Sequence, residues 1–152
     1  MKPVGWILAL IAAVATVPSA WAAAPADEVR ALYARFLEAQ NARDLPRVRR
    51  VLLDSPDFLW VSDGMSVWGP DAVLERMATF QQAPVWQVQA DLAHATAVEV
   101  SPDVAYLHLP LVLRIGSEAS PDRLPFLVSV LGVATAQGWR IAALFTTTAK
   151  KR

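Results

Sequence analysis

At Pro84 the hydrophobic rhythm of this chain changes, and that change limits what it can fold into. Before Pro84, apolar side chains recur at helical spacing. After it, Trp86, Val88, Ala90, Leu92, His94, Thr96, Val98 and Val100 alternate with Gln87, Gln89, Asp91, Ala93, Ala95, Ala97 and Glu99. A period of two is the mark of a half-buried strand. Strands are also expected over residues 104–115, 123–135 and 139–148, joined by turns at Pro102-Asp103 and Gln137-Gly138 and by a polar loop from Gly116 to Asp122. Helices first and antiparallel strands afterwards define an α+β domain.

The helical part reads as three segments. Val29, Leu32, Tyr33, Phe36 and Leu37 form one stripe over residues 27–40, and Asn41 sits where that helix would end. Asp44 caps a second helix that buries Leu45, Val48, Val51 and Leu52, with Pro46 in its first turn. Its other side carries Arg43, Arg47, Arg49 and Arg50, either an anion site or a solvated face. Phe58 to Ser62 and Met65 to Trp68 form a hairpin around Asp63-Gly64, since glycine accepts positive φ without a steric cost. Gly69-Pro70-Asp71 then opens a third helix with Val73, Leu74, Met77 and Phe80 on one face.

Register decides which side chains share the interior. If Pro102-Asp103 is a two-residue turn, even-numbered residues before it share a face with odd-numbered residues after it. His94 then points inward and His108 outward. Across the last turn, Phe126, Val128, Val130 and Ala134 join Trp139, Ile141, Ala143 and Phe145. A bulge in either long strand would break this pattern. The outer face, centred on Ala93, Ala95, Leu127, Leu131 and Leu144, is too apolar for water and suggests a homodimer. Tyr106, His108 and Arg114 fall at its rim.

Residues 1–22 read as a signal peptide. Lys2 precedes an almost unbroken apolar run from Val4 to Val17, and Ala20-Trp21-Ala22 suits a signal peptidase. The expectation is a single domain over residues 23–152 that is periplasmic or secreted, without a membrane anchor after cleavage. The 14 basic and 14 acidic side chains cancel, which argues against a nucleic-acid binder. The chain has no cysteine, which removes disulfides and thiolate chemistry. Two histidines on opposite faces make a poor metal site, and no cofactor is expected. Neither a glycine-rich phosphate loop nor a Gly-x-Ser-x-Gly turn is present.

The segments Phe36 to Leu45, Asp54, Phe58 to Ser62, Asp63-Gly64, Gly69 to Val73 and Gly138 to Ile141 occur in a telling order. In that order the chain resembles the nuclear transport factor 2-like superfamily, including its SnoaL-like and ketosteroid-isomerase-like branches, from about Val29 to Thr148. The resemblance implies a cone, in which a curved antiparallel sheet wraps around the three helices with a pocket in its mouth. In the isomerase branch an oxyanion-stabilising tyrosine falls near Phe36, and the general-base aspartate near Trp60, Val61 and Ser62.

Candidate chemistry centres on His94, an imidazole that titrates near neutral pH, and on Asp63 at the cone mouth. Asp91 and Glu99 are expected on the face away from His94. An apolar pocket would be lined by Tyr33, Phe36, Trp60, His94, Phe126 and Phe145. Three functions fit: a binder of a small hydrophobic molecule, a cofactor-independent lyase, isomerase or cyclase, or a dimeric interaction protein whose cone is filled.

Overall fold

A computed structural model describes residues 23–150. The signal-peptide reading lies outside them. Helix α1 (Pro25–Asn41) buries Val29, Leu32, Tyr33, Phe36 and Ala39 on the stripe that the spacing predicts. Helix α2 (Leu45–Val51) starts at Asp44, whose carboxylate accepts from the Arg47 amide at 2.9 Å. Two of the α2 arginines have surface partners. Arg47 pairs with Glu38, and Arg49 with both Asp54 and Asp71. Arg43 donates to the carbonyls of Gln81 and Pro84.

Strands β1 (Leu59–Ser62) and β2 (Met65–Trp68) form the expected hairpin. Asp63 and Gly64 both take positive φ, 56° and 73°. Helix α3 (Pro70–Phe80) follows, then β3 (Val85–Ala90), β4 (Thr96–Ser101), β5 (Val104–Gly116), β6 (Pro121–Thr135) and β7 (Gly138–Thr148). These strands make one seven-stranded curved sheet in the order β2-β1-β7-β6-β5-β3, with β4 beside β5. All pairs are antiparallel except β1 with β7, which is parallel. Helix α1 lies in the sheet's concave side, where Leu107, Leu109, Val128, Val130 and Ile141 close the core around it.

Two irregularities reverse side-chain direction. The first splits the single long strand expected over residues 86–100. A 3-10 turn at Leu92–His94 separates β3 from β4. Ala90 pairs with Leu111 but Thr96 with His108, so an even step on one strand meets an odd step on the other. Trp86, Val88 and Ala90 face inward, whereas Thr96 and Val98 face outward with His108 and Tyr106. The cause lies across the ladder. Pro110 of β5 has no N–H to offer there, and its carbonyl accepts from the Asp91 amide as the chain leaves β3.

The second lies in β7. Gly132 pairs with Ile141, but Leu131 pairs with Ala143, leaving Ala142 as an extra residue. Beyond it the expected phase inverts. Leu144 turns inward and is buried, and Phe145 turns outward opposite Ser129. Leu144 therefore leaves the proposed outer face. Ala95 also packs on the core rather than outside it.

Candidate functional site

The concave side of the sheet is not filled. Between α1, α3 and the sheet lies a cavity of about 370 Å³, within the range of small-molecule sites. Its floor is set by α1 and the sheet centre: Tyr33, Phe36, Val88 and Val128 are almost fully buried there. Helix α3 supplies Arg76, Met77 and Phe80 as one wall, because positions three and four apart share a helical face. Strands β5 and β6 supply Leu111, Leu113, Ile115 and Phe126 opposite. Asp63, Leu124, Pro125 and Thr148 are exposed and form the rim.

Of the residues expected at the site, Tyr33, Phe36, Trp60, Phe126 and Asp63 line the cavity. His94 does not. It sits in the 3-10 turn with its side chain 78% exposed, and its Nδ1 lies 2.7 Å from Asp91 Oδ2. The pairing with Asp91 reverses the expectation that this carboxylate points away. The His94 hydrogen bond holds the Asp91 carboxyl below the usual carboxylate range. Phe145, 43% exposed, stands on the outer face because of the β7 bulge. His108, also outward, lies 3.0 Å from Ser129 Oγ.

Polar groups in the lining are few. Trp60 Nε1 donates to Thr146 Oγ1 at 3.3 Å, linking β1 to β7. Trp86 Nε1 donates to the Gln40 carbonyl at 3.2 Å, anchoring that ring at the end of α1. Tyr33 is 1% exposed, and burial alone pushes its phenol well above the ordinary range. Such a phenol stays protonated and can donate a hydrogen bond, but does not serve as a base.

Arg76 is the charged residue of the lining that the sequence does not announce. Its guanidinium carbon stands 5.5 Å from the Trp60 ring centroid and 4.9 Å from that of Phe80. Phe80 in turn lies nearly parallel to Trp86, with centroids 6.5 Å apart. The available signal was spacing, since Arg76 falls between Val73, Met77 and Phe80, one turn from the buried stripe. Gln40, Ser62, Thr146 and Thr148 were also missed, the last two because the bulge inverts β7. Among the described residues, no cluster of histidine and carboxylate groups could hold a metal ion.

Comparison with known proteins agrees with this architecture. The model of the SnoaL-like domain matches residues 29–144. No curated protein matches the chain. An uncharacterised cystatin-fold protein from Caulobacter vibrioides superposes with a TM-score of 0.71 at 19% identity, covering 83% of this chain and 90% of that one. A nuclear transport factor 2-like superfamily protein from Salmonella enterica gives 0.72 at 14% identity, covering 83% and 92%. A ketosteroid isomerase-like protein from Erwinia carotovora atroseptica gives 0.67 at 18% identity, covering 82% and 96%. With the family model spanning most of its length, the chain belongs to the SnoaL-like domain family, within the nuclear transport factor 2-like fold.

Proposed function

We propose that this chain is an exported binding domain that takes a small hydrophobic molecule into the cone. The observation that carries this is the open cavity of about 370 Å³ with a largely apolar lining. A pocket of that kind favours an apolar ligand by removing its surface from water, at roughly 25 cal/mol per Å². Export rests on the apolar run from Val4 to Val17 and places the domain in the periplasm or outside the cell. The open cavity argues against the reading in which the cone is filled by its own side chains.

The fold also suits an isomerase-type enzyme, and one observation keeps that as the second reading. Asp63 is a rim carboxylate, and the Tyr33 phenol is a protonated donor below it. A base at the mouth and a donor at the floor could act on a bound carbonyl compound. His94 has no part in either reading, because it lies outside the cavity.

Self-association belongs to the same proposal. Tyr106, Phe145 and Trp68 are exposed on the convex face, with Leu131 and Val61 half-buried beside them. An apolar face of this kind fits a homodimer.

Binding is tested by titrating the full chain with decanol and with the neutral dye phenylnaphthylamine, following tryptophan and dye fluorescence. Saturable binding that falls about tenfold or more in Leu113→Trp, which fills the cavity, is expected. Non-saturable binding, or binding indifferent to Leu113→Trp, would remove the pocket from consideration.

A further inference from the structure

Arg76 is a half-buried cation at the cavity wall. Trp60 and Phe80 flank its guanidinium. Its Nε is buried without a hydrogen-bond partner among the described residues. Its Nη1 has only a weak sulfur contact, 3.7 Å from Met65 Sδ. None of the salt bridges among the described residues involves it, whereas Arg47 and Arg49 on the surface are paired. Aromatic faces offset part of the lost hydration through cation–π attraction. They leave the buried Nε–H without an acceptor, and the charge has no counter-ion among the described residues.

We propose that the pocket selects amphipathic monoanions: a carboxylate or comparable acidic group pairs with Arg76 and an apolar body fills the cavity. This rests on the hydrophobic-ligand reading above and narrows it to an acid. The geometry divides the labour. Arg76 belongs to the α3 wall together with Phe80, and Trp60 and Trp86 flank the same region. The buried floor at Tyr33, Phe36 and Val128 is apolar apart from one phenol. A charge-assisted hydrogen bond in such surroundings is stronger than a neutral one. Asp63 on the rim is the lining carboxylate, and it forms no ion pair with Arg76. It repels an entering anion and therefore tunes affinity in the opposite sense.

The test uses three probes of matched tail on the full chain, by calorimetry: decanoate, decanol and decyltrimethylammonium. Decanoate should bind about tenfold or more tighter than decanol, and the cationic probe most weakly. Arg76→Gln should abolish the preference for decanoate while keeping decanol affinity, which reports an intact cavity. Arg76→Lys should retain part of the preference, and Asp63→Asn should strengthen decanoate binding. Equal affinity of the wild-type chain for decanoate and decanol would overturn the anion proposal and leave the hydrophobic-ligand reading standing. Failure of all three probes to bind would overturn both. If Arg76→Gln does not fold, the wild-type probe series and Arg76→Lys decide the matter.

Discussion

Asn41, the last residue of α1, holds Val88 of β3 by both of its backbone polar groups. Asn41 Nδ2 donates to the Val88 carbonyl at 3.0 Å, and Asn41 Oδ1 accepts from the Val88 amide at 2.7 Å. β3 ends the main strand path, so its outward N–H and C=O groups lack a neighbouring strand. One side-chain amide takes that neighbour's place and ties the helix end to the cavity wall. Asn41→Leu should cost about 1–3 kcal/mol, because both Val88 groups lose their partner. Asn41→Asp at neutral pH should cost at least as much, since a carboxylate oxygen then faces the Val88 carbonyl. Urea unfolding measures both. An unchanged midpoint in Asn41→Leu would show that water serves Val88 equally well.

Gly132 lets α1 approach the sheet. A Cβ there would lie 3.0 Å from Val29 Cγ2 and 3.4 Å from Trp139 Cε3. Val29 is fully buried, so it has little room to yield. Gly132→Ala should destabilise by about 1–3 kcal/mol through overpacking. The double variant Gly132→Ala, Val29→Ala should be less destabilised than the two single costs combined, because the shortened side chain makes room. Strict additivity in thermal unfolding would mean that the contact is not the cause.

Much of this molecule is legible in its sequence, and the failures of side-chain direction trace to two residues. The stripes of α1, α2 and α3, the Asp63-Gly64 hairpin and the last three strands, β5 to β7, follow from periodicity and turn chemistry. Tyr33, Phe36, Trp60 and Phe126 reach the cavity as their phase predicts. His94 and Phe145 do not, because His94 sits in the turn that breaks the ladder and Phe145 lies beyond the β7 bulge. Periodicity carries direction only along an unbroken ladder, and one extra residue inverts everything after it. Both breaks leave a mark in the sequence: Pro110 within a strand cannot donate to its neighbour, and Gly132 within a strand permits close approach. Arg76 escaped for another reason. Its contact with Phe80 is an i, i+4 pair within α3 that spacing allows, but its place over Trp60 is a tertiary arrangement of α3 and β1 that no local spacing encodes.

His94 makes a useful negative control. It is bonded to Asp91 at the surface, outside the cavity. His94→Ala should leave decanol and decanoate affinities unchanged. It should raise the Asp91 carboxyl pKa toward the ordinary carboxylate value, visible in a carbon-detected NMR titration. The depressed pKa means that this pair contributes stability above the denatured carboxyl's pKa, and loses it as pH falls through the folded value. Asp91 lies at the surface, so the change in acid stability should be slight. A large loss of ligand affinity in His94→Ala would place that turn nearer the ligand than its geometry does.

The convex face gives a prediction about assembly. Leu131 pairs with Tyr106 and neighbours the strand pair of Ser129 and Phe145. Leu131→Asp puts a charge among these apolar side chains, where a dimer contact would bury it unpaired. Sedimentation should show the wild-type chain as a dimer and the variant as a monomer with unchanged far-ultraviolet circular dichroism. Phe145→Asp should do the same. If both variants sediment as the wild type, the convex face is not the interface.

Tyr33 couples the cavity floor to alkaline stability. Its phenol pKa is raised by burial alone, so folding binds its proton more tightly than the denatured chain does. Denatured tyrosine ionises near pH 10. Below that pH both states are protonated and the group has no effect on the slope of stability against pH. Above it the denatured phenol releases its proton while the folded one keeps it, so stability falls as pH rises. Tyr33→Phe removes this term. Near neutral pH the variant should match the wild type within about 1 kcal/mol, since the hydroxyl has no hydrogen-bond partner among the described residues. Above about pH 10 it should lose stability less steeply than the wild type, with each unit of the raised pKa worth about 1.4 kcal/mol. Parallel stability curves for the two chains through the alkaline range would mean that the phenol is reached by water and ionises in the folded cone.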